Sequence, residues 1–329
     1  MNNKSGNQYS FFNSLMDGIK SQLGILIALL VMCVFLSIAT DSFLATTNIF
    51  NVLRQIAVNV FLACGMTMVI ILGGIDLSVG AVIALSGCTC ASMIAKAGIN
   101  PFLAILAGIA LGAVVGLING LIVAFSTIPP FIVTLATMNI SRGLARVMVN
   151  NKTVAVNNSI YKFIGTGYVG PIPVHIIFIL IVIIITAIIL TRTSFGRSIY
   201  AVGGNKMAAQ YSGIDAKKVI LLVFIINGIL AGCAGILSSS RTMVGQYSLG
   251  DGAEMDAITA VVLGGTSMTG GVGTIGGTVI GCVIVGVLNN GMNLLGIDSS
   301  WQYVVQGAVV LLAVGVDFLK KSGILQKRK

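Results

Sequence analysis

Residues 102–125 read FLAILAGIALGAVVGLINGLIVAF, a run of apolar and small residues without a charged side chain. The run is longer than the roughly 20 residues that a helix needs to cross a bilayer core. Gly108, Gly112, Gly116 and Gly120 recur at every fourth position and share one helix face. Because small residues let backbones approach closely in lipid, this face predicts tight packing inside one bundle. A seam between two subunits is the alternative.

Nine further apolar stretches accompany this one, and the chain is 56% hydrophobic but only 9% charged. Soluble domains are about a quarter charged, so we predict an all-α polytopic membrane protein with about ten transmembrane helices. The predicted segments are Leu23–Ala39, Ala57–Leu72, Val79–Ala95, Phe102–Phe125, Phe131–Val149, Val174–Leu190, Val219–Leu237, Ala257–Leu263 with extensions, Ile275–Val287 and Tyr303–Val316. The eighth is short, so it is either a full span or a re-entrant helix covered by protein.

Positive charge is concentrated in two places outside the apolar runs. The loop 192–218 and the C-terminal residues 320–329 are rich in lysine and arginine, and ten crossings put both on one side of the membrane. Cytoplasmic loops carry an excess of these residues, so we expect both termini and this loop in the cytoplasm, across a bacterial plasma membrane. The predicted organisation is a cytoplasmic segment 1–22, a transmembrane bundle 23–319 and a basic cytoplasmic tail 320–329.

Several activities are disfavoured by what the sequence lacks. The net charge of +10 is explained by the basic loops beside the spans, so we expect no nucleic-acid partner. No GxxxxGK[ST] phosphate loop occurs, so the chain itself should bind no ATP. His175 is the only histidine and the six cysteines lie in apolar runs, so we expect no metal and no bound cofactor. We expect no catalytic residues either.

The loop 192–218 contains the string GGNKMAAQYSGI at positions 203–214. Asn205 is a good N-cap and Gly213 suits the left-handed position after a helix end, so the string predicts a helix of two turns between them. Met207 and Tyr211 lie four residues apart and share a face of that helix. Such a face can enter a groove in a partner protein; the alternative is an ordinary capped helix that only closes the loop.

Polar residues interrupt the predicted spans. Amides in hydrocarbon must bond to another helix or face a wet passage, and a passage lined by amides suits a neutral, hydroxyl-rich solute. The candidates for this passage are Asn59, Asp76, Asn119, Asn139, Asn227 and Asn290. A competing interpretation, which we favour, is that Asp76 or Ser78 caps the helix that follows. Arg142 and Arg146 are expected to reach towards the lipid interface.

Five strings, in order along nearly the whole chain, together resemble the permease subunit of ribose-type ABC sugar importers. They are NVFLACGMTMVIILGGIDLSVG at 59–80, GRSIYAVGGN at 196–205, SGI at 212–214, DAITAVVLGGTS at 256–267 and NNGMNLLG at 289–296. The last of these points to the ribose branch. The loop 150–173 contains no string that identifies the sugar.

The resemblance implies an ABC importer permease fold, assembled as a homodimer in the bilayer. It also implies two partners: an extracytoplasmic binding protein that delivers a monosaccharide, ribose or a related pentose, and a cytosolic subunit that hydrolyses ATP. In such importers a short cytoplasmic helix docks on the ATPase. The positions here that match it are Gly204, Asn205, Ala208, Ala209, Gly213 and Ile214, and the helix face shared by Met207 and Tyr211 adds these two residues.

Three alternatives stay open at this point. The first is a permease of the same type for another solute, such as galactose, xylose, a nucleoside or a signalling sugar. The second is a secondary carrier or channel without an ATPase, although the spans contain no chain of buried carboxylates of the kind that proton-coupled pumps use. The third is an integral membrane enzyme, which would need a cluster of catalytic groups.

Overall fold

The computed structural model describes residue 24 and residues 26–321, which are mostly helical. The helices are α1 (Leu26–Ala39), α2 (Thr46–Ile71), α3 (Val79–Ala95), α4 (Pro101–Phe125), α5 (Pro130–Val149), α6 (Ser159–Thr166), α7 (Val174–Arg192), α8 (Ser194–Gly204), α9 (Lys206–Tyr211), α10 (Ala216–Thr242), α11 (Ala253–Leu263), α12 (Ile275–Leu294) and α13 (Ser299–Lys321). The short strands β1 (Val154–Ala155) and β4 (Val244–Gly245) pair antiparallel, as do β2 (Tyr168–Val169) and β3 (Ile172–Pro173). The predicted segment 1–22 and residues 322–329 of the predicted tail lie outside the described residues.

Among the described helices, α2, α4, α7, α10 and α12 are long and apolar enough to cross a membrane. They make the chain a multi-pass helical membrane protein, whereas the count of ten spans stays a prediction. The predicted bounds were too narrow for α2 and α12. α2 begins at Thr46 rather than Ala57, and α12 continues to Leu294 rather than ending at Val287. The buried Asn48 of α2 and Asn290 of α12 bond to each other within these extensions.

The centre of the bundle is α10, which packs against α2, α3 and α4. Its contact with α4 is made through the glycine face. A Cβ atom on Gly112 would overlap the carbonyl oxygen of Gly228, and one on Gly116 would overlap that of Phe224. The prediction that the glycine face packs inside the chain is therefore confirmed.

The bundle has two ends, which we name after the short helices that lie there. At the α9 end, the Tyr200 hydroxyl of α8 donates a hydrogen bond of 2.8 Å to the carbonyl oxygen of Gly273, which joins α8 to the segment 264–274. At the α6 end, β1 pairs with β4, which joins the long loop 150–173 to the segment 243–252.

The same tripeptide, Leu-Gly-Gly, stands at the C-terminal ends of α2 and α11, at residues 72–74 and 263–265. Gly73 has a φ angle of 79° and Gly265 one of 87°, a left-handed conformation that glycine adopts without steric cost. The amide of Gly73 donates to the Ile70 carbonyl at 2.8 Å, and that of Gly265 to the Val262 carbonyl at 2.9 Å. Each helix therefore ends on a left-handed glycine, but this glycine is the second residue of the first tripeptide and the third residue of the other.

The helix in the predicted eighth segment, α11, has 11 residues. At 1.5 Å per residue it is roughly 16 Å long, about half of a typical hydrocarbon core. The segments 243–252 and 264–274 on either side of it are largely non-helical. α11 alone is therefore too short to cross a bilayer.

Candidate functional site

The helix predicted in the loop 192–218 is present as α9. The side-chain oxygen of Asn205 accepts a hydrogen bond of 2.9 Å from the Ala208 amide, which caps the helix start. Gly213 follows the helix end with a φ angle of 84°. Met207 is 64% exposed and Tyr211 is 86% exposed, so an apolar pair protrudes from a polar helix. Ala209 is buried and anchors the other face.

The end of α8 lies directly against the end of α2, and we call this contact the glycine junction, formed by Ile71, Gly203, Gly204, Gly270 and Gly271. A Cβ atom on Gly203 would overlap the Ile71 carbonyl oxygen. That oxygen also accepts a hydrogen bond of 2.8 Å from the Gly271 amide. Gly204 of α8 is one of the positions for which the resemblance predicts a coupling role, and its neighbour Gly271 belongs to the segment that follows α11.

Beside the junction, the Tyr200 hydroxyl holds Gly273 as described above. Burial raises the pKa of the Tyr200 hydroxyl, so it remains a proton donor. Three parts of the chain that are far apart in sequence thus meet at the α9 end: α8, the end of α2 and the segment 264–274.

A buried polar network occupies the middle of the bundle, around Asp76. One carboxylate oxygen accepts hydrogen bonds from the amide and the hydroxyl of Ser78, at 2.9 and 2.6 Å. The other accepts from the Asn227 side chain at 2.8 Å. Asn227 is eleven residues into α10, which places it roughly 17 Å along that helix. Asp76 is 1% exposed, so this network is dry.

The network continues from α3 into α4 and α5. The Asn119 side chain donates to the Ser78 hydroxyl at 3.0 Å and accepts from the Thr137 hydroxyl at 2.8 Å. The Thr134 hydroxyl lies next to it and accepts from the Leu77 amide at 3.1 Å. Three of the six predicted passage residues, Asp76, Asn119 and Asn227, are therefore brought together in one cluster.

Our preferred interpretation of Asp76 holds only in part. The side chain of Ser78, at the N-cap position, makes no capping hydrogen bond to α3, but one Asp76 oxygen accepts a hydrogen bond of 2.9 Å from the Ser78 amide at the start of that helix. The other oxygen bonds across to α10, because Asn227 offers it a buried donor that a local sequence pattern does not reveal.

The other three predicted passage residues lie apart from this cluster. Asn290 exchanges two hydrogen bonds with Asn48, at 3.0 and 2.8 Å, and so ties α12 to α2. Asn59 is buried within α2. Asn139 is exposed on α5 and donates to the Leu135 carbonyl of its own helix. A passage role for any of the six stays a prediction.

The predicted lipid-facing position of Arg142 was also wrong. Its guanidinium donates to the carbonyls of Tyr247 and Leu249 at 2.8 and 2.7 Å, and it lies 3.7 Å from the Asp251 carboxylate. Arg146 packs over the Tyr247 ring, 4.9 Å from its centroid. The carbonyls of the irregular segment 243–252 need donors, and the two arginines fix this segment to α5.

A second polar site lies towards the α6 end, in a cleft of about 210 Å³ between α2, α11, α12 and α13. We call it the outer cleft; it is lined by Gln55, Asp251, Gly252, Asp256, Asn289, Gln302, Tyr303 and Gln306. Sequence reasoning named Asp256 only as part of the resemblance and missed the glutamines. Their spacing was a usable signal, because Gln302 and Gln306 are four apart and share a face of α13.

Comparison with known proteins gives a consistent result. A protein family described as the branched-chain amino acid transport system permease component matches residues 48–314. The ribose import permease protein RbsC of Bacillus subtilis (strain 168) is 46% identical over 308 residues, which cover 93% of this chain and 95% of that protein. The protein of the same name from Escherichia coli (strain K12) is 43% identical, covering 90% of this chain and 93% of that protein.

A further relative is the D-allose transport system permease protein AlsC of Escherichia coli (strain K12), 42% identical over 88% of this chain and 89% of that protein. No solved structure gives a significant match. The family match spans most of the chain, and the relatives align with it almost end to end. This chain therefore belongs to the family of membrane permease components described as the branched-chain amino acid transport system permease component.

Proposed function

We propose that this chain is the membrane permease subunit of a binding-protein-dependent ABC importer that carries ribose or a closely related monosaccharide into the cytoplasm. The observation that carries the proposal is the 46% identity to a ribose import permease over nearly the full length of both chains. The chain would act as a homodimer in a bacterial plasma membrane, with both termini in the cytoplasm. It would receive sugar from an extracytoplasmic binding protein.

The energy would come from a cytosolic subunit that hydrolyses ATP, docked on α9. Two features support this position. The exposed pair Met207 and Tyr211 offers an apolar knob on an otherwise polar loop. The same loop is strongly basic, as cytoplasmic loops are.

A movement of α9 would be transmitted into the bundle through a small number of contacts. α9 follows α8 directly, and the end of α8 meets the end of α2 at the glycine junction. From the junction one irregular stretch leads to Asp76 and α3, and another leads back to α11. We infer that closure of the ATPase moves these two stretches together and so alternates access to the passage.

Uptake of labelled sugars tests the substrate. The chain is produced with its cognate binding protein and ATPase in cells that lack their own ribose permease, and uptake of labelled D-ribose, D-allose, D-xylose and L-leucine is measured. We expect D-ribose to give the fastest uptake, and uptake to stop when the ATPase is omitted. Uptake of leucine alone, or uptake that persists without the ATPase, would refute the proposal.

Co-purification tests the docking helix. The variants Met207→Ala and Tyr211→Ala should retain membrane insertion but lose most of the ATPase subunit when the permease is purified. The matched control is Phe163→Ala, a half-exposed aromatic on α6 at the other end of the bundle. Gly213→Val should weaken uptake as well, because valine does not tolerate the left-handed backbone at that position. Equal ATPase recovery from all four variants would exclude α9 as the docking element.

D-allose is the second candidate substrate. The D-allose permease is 42% identical to this chain, close to the 43% of the Escherichia coli ribose permease. The uptake ratio of D-ribose to D-allose in the experiment above decides between the two sugars.

A further inference from the structure

The outer cleft is built almost entirely from hydrogen-bonding side chains. Seven of its eight lining residues carry a polar side chain, and Gly252 is the exception. They come from four helices and from the irregular segment 243–252, so the folded bundle assembles them at one place. Polar and ionisable side chains set among mostly apolar membrane helices face a water-filled cavity or mark the path of a polar substrate.

Some of the bonding capacity of the cleft is used to hold its own side chains. Asn289 donates to one carboxylate oxygen of Asp256 at 3.0 Å and accepts from Gln306 at 3.4 Å. The Gln302 amide donates to Asn293 at 2.9 Å. These bonds set the directions in which the carboxylate and the two glutamine side chains point.

Other hydrogen-bonding atoms of the cleft have no partner within the described part of the chain. They comprise the second carboxylate oxygen of Asp256, the amide of Gln55, the hydroxyl of Tyr303 and the side-chain oxygens of Gln302 and Gln306. Both donors and acceptors are therefore available in one small volume, and the Tyr303 ring, packed beside Gly252, adds an aromatic surface. Neighbouring hydroxyl groups on one ligand require this mixture of donors and acceptors.

The charged groups of the cleft do not suit an amino acid as the ligand. A zwitterion would need a cation for its carboxylate, but the guanidinium of Arg142 is already bound to two carbonyls and to Asp251. A branched-chain side chain would also need an apolar pocket, whereas every side chain lining the cleft is polar. A neutral polyhydroxylated ring satisfies both conditions.

We propose that the outer cleft is a binding site for a neutral monosaccharide on its way through the permease, with Gln55, Asp256, Gln306 and Tyr303 as the groups that bond the sugar hydroxyls. The inference rests on the proposed function and assigns the sugar a definite place, separate from the dry network around Asp76.

A single tryptophan provides the direct test, because Trp301 adjoins Gln302 and is the only tryptophan of the chain. The full-length permease in lipid nanodiscs is titrated with D-ribose, with D-allose and with L-leucine while tryptophan fluorescence is recorded. We expect a saturable change with the sugars and none with leucine. A change with leucine alone, or no change with either sugar, would overturn the proposal.

Substitutions then locate the site. Gln55→Ala and Tyr303→Phe each remove a group that makes no hydrogen bond within the described chain, so the fold should tolerate them. Each should weaken sugar binding about two- to tenfold, the range that loss of one neutral hydrogen bond produces. Gln210→Ala, on exposed α9 at the other end, removes the same kind of amide and should leave binding unchanged. Equal binding in all three variants would place the sugar elsewhere.

Uptake by the assembled transporter separates this inference from the proposed function. Gln306→Ala and Tyr303→Phe should change the ratio of D-ribose to D-allose uptake, which loss of stability alone does not alter. If both variants transport the two sugars at the wild-type rate and ratio, the cleft is not the site and the proposed function stands. If the wild-type complex transports neither sugar, the proposed function itself fails.

Discussion

Asp76 and Asp256 are two carboxylates set within the same helical bundle, and their surroundings differ in one decisive respect. Both oxygens of Asp76 accept hydrogen bonds from the chain, and the residue is 1% exposed. One oxygen of Asp256 accepts a hydrogen bond from Asn289, and the carboxylate lines the outer cleft with its second oxygen unbonded to the described chain. A polar group that the protein satisfies completely holds the structure together, whereas one left partly unsatisfied is available to a ligand.

Removing each carboxylate gives the largest expected contrast. Asp76→Ala leaves the Ser78 amide, the Ser78 hydroxyl and the Asn227 amide without an acceptor, and each buried unpaired group costs roughly 1–3 kcal/mol. Asp256→Ala frees only Asn289, which water in the cleft can reach. Thermal unfolding in detergent should therefore show a loss of about 3 kcal/mol or more for Asp76→Ala and about 1 kcal/mol or less for Asp256→Ala. Asp41→Ala, at an exposed site, is the control; similar losses at both sites would abolish the distinction.

The amide partners should repeat the contrast on a smaller scale. Asn227→Ala removes a donor from Asp76 and opens a gap beside Gly65, whose Cβ position is filled by the Asn227 side chain. We expect a loss of about 2–3 kcal/mol. Asn289→Ala should cost less than about 1 kcal/mol in the same unfolding assay, and the exposed Asn139→Ala provides a baseline. If Asn289→Ala were less stable than Asn227→Ala, the polar side chains of the cleft would serve to stabilise the fold rather than to bind a ligand.

The outermost member of the dry network should give the smallest measurable effect. Thr137→Val keeps the shape of the side chain but removes the hydroxyl that donates to Asn119. Loss of this single bond should lower the free energy of unfolding by about 1 kcal/mol. Thr191→Val, at an exposed position whose hydroxyl bonds only within its own helix, should be close to neutral. No difference between the two threonines would mean that the network ends at Asn119.

The parts of this fold that depend on nearby residues were predictable. The glycine spacing in α4 indicated close packing because a helix repeats its faces at short intervals, and the contact with Gly228 follows that pattern. The helix α9 was predictable for a similar reason, since Asn205 caps an amide three residues away and Gly213 ends the same short unit. For α9 the signal and the structure lie in one stretch of chain, whereas for α4 the spacing predicted the packing face but not its partner α10.

The contacts that distinguish the two carboxylates were not predictable, because their partners are remote in sequence. Asn227 lies 151 residues from Asp76, and Asn48 lies 242 residues from Asn290. Many asparagines in the spans could have served as either partner, so composition alone does not choose among them. Arg142 was misinterpreted for the same reason, since the carbonyls that it binds lie more than 100 residues further along the chain.

The glycine junction has a mechanical consequence of its own. At this contact backbone rests on backbone, as the Gly203 and Ile71 positions require. Side chains absorb small shifts by changing rotamer, but a peptide plane cannot. No side chain therefore lies between the end of α8 and the end of α2 to absorb a shift. We expect a displacement of one helix end to move the other by nearly the same amount.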